Sequence, residues 1–241
     1  MKNKIIAIVI AIIIVALSYY LYSTFKTRYI IKDYFKQEKW MQKKNKFSHY
    51  KKTGYTNLFF GDSMTENFKF FMSRSDSIVN MGISGDFSEG LLKRIDNVIT
   101  FQPDNLFIMI GINDIIEKVP LSDIQENYLK IIHQVEVNCP KTKIYIQSTL
   151  PTYHLRSMFS SSFEINNKVI ELNSFLRKIS QDKGICYIDM YADFTNENNE
   201  LKQELTADGI HLNKKGYSIW ASYLKKYIKL NMRKQPLNVV F

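Results

Sequence analysis

Five short, mostly apolar runs recur along the chain: Asn57 to Phe60, Ile78 to Met81, Leu106 to Ile110, Ile144 to Gln147 and Ile185 to Ile188. Each has the length of a buried strand and is too short for a helix. Between them lie longer segments whose apolar residues fall three and four apart. Leu91, Leu92, Ile95 and Ile99 form one, Ile124, Tyr128, Ile131, Ile132 and Val135 another, and Ile165, Val169, Leu172, Leu176 and Ile179 a third. Trp220 to Leu230 closes the series with a further amphipathic stretch. Strands separated by helices pair in parallel through crossovers, with helices on both faces. The pattern therefore predicts an α/β fold, a three-layer α/β/α sandwich around a parallel sheet. At 241 residues the chain is near the upper limit for one compact domain, and no repeat or second core is visible.

Ahead of this pattern, no charge appears between Lys4 and Lys26. The 21 uncharged residues from Ile5 to Phe25 match the roughly 20 that a helix needs to cross a bilayer. Tyr19, Tyr20 and Tyr22 gather at the far end, where amphipathic rings favour the membrane interface. A cleaved secretory signal is the competing reading, with Lys2 and Lys4 as its basic start and Ala16-Leu17-Ser18 as a cleavage site. Apolar residues and tyrosines continue past that site, which favours an uncleaved transmembrane anchor. Either way the remainder is exported: a single-pass cell-membrane protein with its domain on the exocytoplasmic side, or a secreted one after cleavage.

The net charge of +10 raises the question of a nucleic-acid partner, and its distribution answers it. Lys26 to Lys52 holds ten Lys or Arg against Asp33 and Glu38, whereas Thr53 to Phe241 nets zero. The main domain is not basic, so no nucleic-acid partner is expected. Within the basic stretch, Ile30, Ile31, Tyr34, Phe35 and Met41 recur at near-helical spacing beside Trp40. Such a segment either lies on anionic lipid or forms a stalk with solvated lysines. The expected organisation is residues 1–25 as anchor or signal, 26–53 as basic linker or amphipathic stalk, 54–232 as the main domain and 233–241 as a tail. Cys139 and Cys186 lie 47 positions apart without metal-ligand spacing, and Cys186 reads as a small core residue.

In parallel sheets ligands bind at the carboxyl ends of the strands. Gly61-Asp62-Ser63, Ser84-Gly85-Asp86 and Gly111-Ile112-Asn113-Asp114 follow the first three strands, and Asp208-Gly209-Ile210-His211 precedes the last helix. A serine hydroxyl becomes a nucleophile only when a base takes its proton, and that base needs an acceptor to fix its tautomer. His211 is the candidate base for Ser63, and Asp208, three residues earlier, the candidate orienting carboxylate. Backbone N-H groups of Ser63 and Gly85 and the amide of Asn113 are candidate oxyanion donors. Each motif alone reads as a turn or helix cap. All four together carry the residue types of acyl transfer.

These blocks, as Gly61-Asp62-Ser63-Met64-Thr65, Asn80 to Asp86, Gly111 to Asp114 and Asp208 to Asn213, resemble the GDSL/SGNH hydrolase family over roughly Tyr55 to Leu230. The resemblance implies a flavodoxin-like sheet, ester hydrolysis without metal or cofactor, and an acyl-enzyme on Ser63. Met64 stands where the family usually has leucine, as it also does in acetylhydrolase-like members. Asp62 is expected to order the turn around Ser63. Tyr153, His154 and Arg156, in the loop after the fourth strand, are candidate substrate-binding residues. The expected substrate is an ester-bearing glycan or lipid met outside the membrane, with O-acetyl or another short acyl group on an envelope carbohydrate preferred. A lysophospholipase-like lipase, an acyltransferase using the same acyl-enzyme and a non-catalytic envelope-binding module are the alternatives.

Overall fold

The computed structural model describes residues 2–69, 77–157 and 160–228, the side chains of 2, 3, 7, 156, 157 and 160 excepted. In chain order the elements are α1 (Lys2–Tyr34), α2 (Glu38–Ser48), β1 (Asn57–Gly61), α3 (Ser63–Glu66), β2 (Ile78–Gly82), α4 (Ser88–Lys93) and α5 (Ile95–Phe101). They continue with β3 (Asn105–Met109), α6 (Ile112–Ile116), α7 (Leu121–Asn138), β4 (Lys143–Gln147), β5 (Arg156–Ser157), β6 (Ser160–Ser161), α8 (Ser162–Lys183), β7 (Cys186–Ile188), α9 (Tyr191–Phe194) and α10 (Lys214–Leu224). The expected tail, residues 233–241, lies outside the described residues.

Five strands form one parallel sheet in the order β2-β1-β3-β4-β7, with Phe59 opposite both Asn80 and Phe107. Counting only these strands, the order is 2-1-3-4-5, the flavodoxin-like arrangement, and the first strand lies at its switch point. Alternation along each strand divides the core in two. Leu58, Phe60, Leu106, Ile108, Ile144 and Ile146 face α4, α5, α7 and α8. Phe59, Phe107 and Met109 face the opposite layer, where they meet Phe68, Trp220 and Leu224. On that face Phe59 stacks on Phe107 with centroids 4.9 Å apart, and Phe107 on Tyr145 at 4.6 Å. Both faces are covered, as a parallel sheet requires.

Strand boundaries agree with the sequence pattern to within a residue or two. The last helix does not. The apolar residues from Trp220 onward suggested a start there, but Asn213 caps α10 by accepting from the backbone N-H of Lys215 and Gly216 at 3.0 and 3.2 Å. A capping side chain sets where a helix begins, independently of where its apolar face becomes dense. Cys139 and Cys186 are both free thiols, the first buried and the second half-buried in β7.

The basic segment is packed more closely than either sequence reading of it supposed. The 33-residue helix α1 runs uninterrupted from the apolar run into the basic region. From its lower end, Thr27 and Ile31 are buried, the threonine hydroxyl donating to the Glu117 carbonyl at 2.8 Å. In α2, Trp40 is 3% exposed and Phe47 6%, seven residues apart on one helix face, while the lysines point outward. The Trp40 indole donates to the buried Asp86 carboxylate at 3.0 Å, Lys43 pairs with Glu66, and Lys52 pairs with Asp104 at 2.8 Å. The segment between the apolar run and β1 is thus part of the domain's packing. Trp40→Ala, which removes an aromatic side chain from a filled site and a donor from Asp86, is expected to lower unfolding free energy by about 3 kcal/mol or more in urea titration. A loss below about 1 kcal/mol would show that α2 adds little to the core.

Candidate active site

At the end of β1 the chain turns into α3, and Asp62 directs the turn. Its carboxylate accepts from the Met64 N-H at 2.9 Å, which caps α3 and makes Ser63 the first helical residue. Ser63 is 6% exposed. After β2 the backbone at Gly85 has φ +79°, a region that side-chain-bearing residues rarely adopt. After β3, Asn113 lies in α6, and its amide donates to the Asp86 carbonyl at 2.9 Å. The amide keeps a second N-H for another acceptor.

The fourth motif comes from the opposite end of the chain. His211 Nε2 stands 2.9 Å from Ser63 Oγ, and His211 Nδ1 stands 2.6 Å from Asp208 Oδ2. A carboxylate only accepts, so Nδ1 carries the proton and Nε2 is left to receive the Ser63 hydroxyl. The other Asp208 oxygen accepts from the backbone N-H groups of Ile210 and His211 at 3.0 and 2.7 Å. Partial burial works against the Asp208 charge, but the His211 side chain and these two N-H groups outweigh it and hold the carboxyl down to about 2. The turn itself is braced: Thr206 Oγ1 donates to the His211 carbonyl at 2.7 Å, and the Tyr153 N-H donates to the Gly209 carbonyl at 2.7 Å. At Gly209, with φ +85°, a Cβ would stand 2.2 Å from the Tyr153 carbonyl oxygen, so only glycine fits.

A second layer of polar groups holds these loops, and the sequence motifs did not reveal it. Glu66 Oε2 accepts from the Ser84 N-H at 2.6 Å and the Ser84 hydroxyl at 2.7 Å, and its other oxygen meets Lys43. The spacing of Glu66 three residues after Ser63 is a weak cue, since it also fits a helix's first turn. Asp114 accepts from the Ser88 N-H at 3.0 Å and the Ser88 hydroxyl at 2.6 Å. Arg94, fully buried, joins Asp86 through Nε at 2.8 Å, the Met81 carbonyl at 2.7 Å and the Gly61 carbonyl at 2.9 Å. Nothing in the local sequence separates it from a solvated helix arginine.

Two spaces border this arrangement. A narrow crevice of about 10 Å³ is lined by Asp62 and Met64, Ile110 and Ile112, and Ile210. A wider cavity of about 330 Å³ opens at Gly85 and Asn113. A larger one, about 870 Å³, lies between α1 and α7, and neither Ser63 nor His211 is among the lining residues of any of the three. Tyr153 and His154 line neither of the first two. The Tyr153 hydroxyl meets Gln203 Oε1 at 3.1 Å, and His154, 62% exposed at its side chain, stands 3.7 Å from Glu200. Arg156 begins β5, and its side chain lies outside the described residues.

At the carboxyl end of the parallel sheet, Ser63, His211 and Asp208 thus form one hydrogen-bonded series, with Gly85 and Asn113 on two further loops. The family model described as "GDSL-like Lipase/Acylhydrolase family" matches residues 59–219, and the chain belongs to that family. A protein from Streptococcus pneumoniae, provisionally described as a platelet activating factor, is 27% identical with a TM-score of 0.70, covering 79% of this chain and 92% of that one. The acetylxylan esterase of Geobacillus stearothermophilus shares the fold at 19% identity and a TM-score of 0.60, covering 76% of this chain and 98% of that one. The N-acylneuraminate cytidylyltransferase of Streptococcus agalactiae serotype V is 25% identical over 196 residues, which are 78% of this chain. The match covers 43% of that enzyme, so the chain spans less than half the length of the curated relatives it matches.

Full burial, reinforced by the neighbouring Asp86, pushes the carboxyls of Asp62 and Asp114 up to about 7. Between the ordinary aspartate value near 4 and that value, the folded protein binds protons that the unfolded chain has released. Stability therefore falls as pH rises through this window. Asp114→Asn keeps an acceptor for Ser88 and carries no charge. Thermal unfolding is expected to place its Tm above that of the unaltered protein at pH 8 and close to it at pH 5. An equal difference at both pH values would contradict a raised carboxyl at this position.

Proposed function

We propose that this protein is a serine esterase that removes O-acetyl or other short acyl groups from carbohydrate of the cell envelope. The observation that carries the reading is the placement of His211 within hydrogen-bond reach of both Ser63 and Asp208. In the proposed reaction Ser63 Oγ attacks the acyl carbonyl while its proton passes to His211 Nε2. Asp208, held as the carboxylate, stabilises the imidazolium. The oxyanion is received by the N-H groups of Ser63 and Gly85 and by the Asn113 amide, and the bond from Asn113 to the Asp86 carbonyl fixes that amide in advance. His211 returns the proton to the departing alcohol. Water activated by the same histidine then releases the acid from acyl-Ser63. No step calls for a metal or cofactor.

Two observations support a short acyl group on a sugar. The crevice lined by Asp62 and Met64, the two chain neighbours of Ser63, has at about 10 Å³ room for about one water or methyl group. One similar protein, an acetylxylan esterase, also carries a name that refers to an acetylated carbohydrate. The 33-residue helix α1, whose apolar part is fully exposed, supports anchoring in the membrane with the domain on its outer side. The same apolar helix gives the lysophospholipase reading its support.

A panel of p-nitrophenyl esters of increasing acyl length, with the full chain in detergent, separates the two: acetate is expected to exceed octanoate by at least tenfold in kcat/KM. Preference for the longer chain would favour the lipid reading. Ser63→Ala is expected to abolish turnover, and retained hydrolysis would refute the assigned nucleophile. Asn113→Ala is expected to lower kcat about 100-fold with KM little changed, as for a donor used mainly in the transition state. A rise in KM alone would make Asn113 a ground-state contact.

A further inference from the structure

Helix α1 does more than reach the membrane. Its lower third docks through Thr27, Ile31 and Tyr34, one face at helical spacing, and the Tyr34 hydroxyl donates to the Ser84 carbonyl at 2.8 Å. The Tyr34 ring also sits against Gly85, where a Cβ would be 3.1 Å from Cε2. The adjoining stripe, Tyr29 and Asp33, continues to Gln37 and forms one wall of the 330 Å³ cavity that opens at Gly85 and Asn113. Glu117 stands on the other side. The stripe from Tyr29 to Gln37 lies outside the region that matches the family, residues 59–219, and Glu117 lies within it.

The chemistry of the wall is uneven. The cavity offers two carboxylates, two side-chain amides, tyrosine rings and the ring of Phe87, and no Lys, Arg or His is among the described residues lining it. The nearby cations Arg28, Lys32 and Lys118 border the separate 870 Å³ cavity instead. Carboxylates and amides exchange hydrogen bonds with hydroxyls, and aromatic faces pack against the apolar faces of a sugar ring. A second anion here would meet repulsion without a compensating cation.

We propose that Tyr29, Asp33, Gln37 and Glu117 form the specificity wall of the ester pocket. This wall accepts an uncharged or amino sugar as the alcohol part of the substrate and rejects one bearing a carboxylate or phosphate. The inference rests on the esterase reading, and its test separates the two. Calorimetric binding of methyl 3-O-acetyl-glucoside and of its 3-O-acetyl-glucuronide counterpart is measured on the full chain carrying Ser63→Ala, in detergent micelles. The glucoside is expected to bind at least tenfold more tightly. Adding Asp33→Asn together with Glu117→Gln is expected to bring the two within threefold, whereas Lys36→Ala, beside the end of α1 and outside the cavity, preserves the ratio. Equal affinities, failure to bind either sugar, or a ratio that survives the paired substitution would overturn the proposal. Turnover of p-nitrophenyl acetate by the Ser63→Ala protein would refute the triad while leaving the binding ratio readable.

Discussion

The site depends on one buried ion pair. Asp86 and Arg94 are both 0% exposed at their side chains, and their contacts leave little of either group unsatisfied. Arg94 places one nitrogen on Asp86, one on the carbonyl ending β1 and one on a β2 carbonyl, with its guanidinium 4.3 Å over the Phe60 ring. Asp86 receives the Trp40 indole and the Phe87 N-H on the oxygen that Arg94 Nε does not use. Burial drives the Asp86 carboxyl up and the Arg94 guanidinium down, each opposed by its partner. A pair of this kind adds little net stability unless hydrogen bonds complete it, but removing one member strands a charge and costs about 3–5 kcal/mol. Its importance here is positional. The Gly61 carbonyl it holds is two residues before Ser63, and the backbone carbonyl of Asp86 orients Asn113. Three loops from three strands thus share one electrostatic anchor.

That anchor explains how loops keep the precision that a catalytic group needs. Ser63 and Asn113 lie on short helices of four and five residues, too short to be rigid alone. Their positions come from side chains crossing between loops: Glu66 to Ser84, Asp114 to Ser88, Asn113 to Asp86. The His211 turn has its own brace in Thr206 and Tyr153. Ser63 and His211 are therefore held by separate networks that meet at the 2.9 Å contact between them.

The chain's alternating pattern made the sheet legible because each strand's partners are dictated by strand-local apolar residues and by crossover geometry. The four blocks were legible as blocks because each sets Ser, Gly, Asn, Asp or His beside a turn, and the fold joins His211 to both Ser63 and Asp208. Arg94, Trp40 and Glu66 were not, for one shared reason: their partners are distant in sequence, and their charge or size reads locally as surface. Lys39, Lys43, Lys44 and Lys46 around Trp40 gave α2 the composition of a solvated stalk. Only the placement of Asp86 and Phe35 beside the indole turns that helix inward. The loop after β4 combines both kinds of signal. Tyr153 and His154 are chemically suited to a pocket, yet the Tyr153 backbone is occupied in bracing the His211 turn, and the His154 ring packs over Tyr153 at 4.4 Å.

The uneven charge of the chain acquires a geometric meaning once α1 and α2 are seen to pack on the domain. Cations face one side of α1, where Arg28 and Lys32 border the larger cavity, while Asp33 faces the other, beside Gly85 and Asn113. With the helix continuous from the apolar run, about eight residues separate Phe25 from Asp33, or about 12 Å along the axis. In the proposed anchored state the cationic side would lie within about a Debye length or two of lipid headgroups and be drawn to them. The carboxylates would guard the pocket mouth against those same anionic groups. Such a division lets one helix hold the enzyme close to an anionic surface without that surface competing for the site. It also accounts for a net charge of +10 on a chain whose main domain has no excess of either sign.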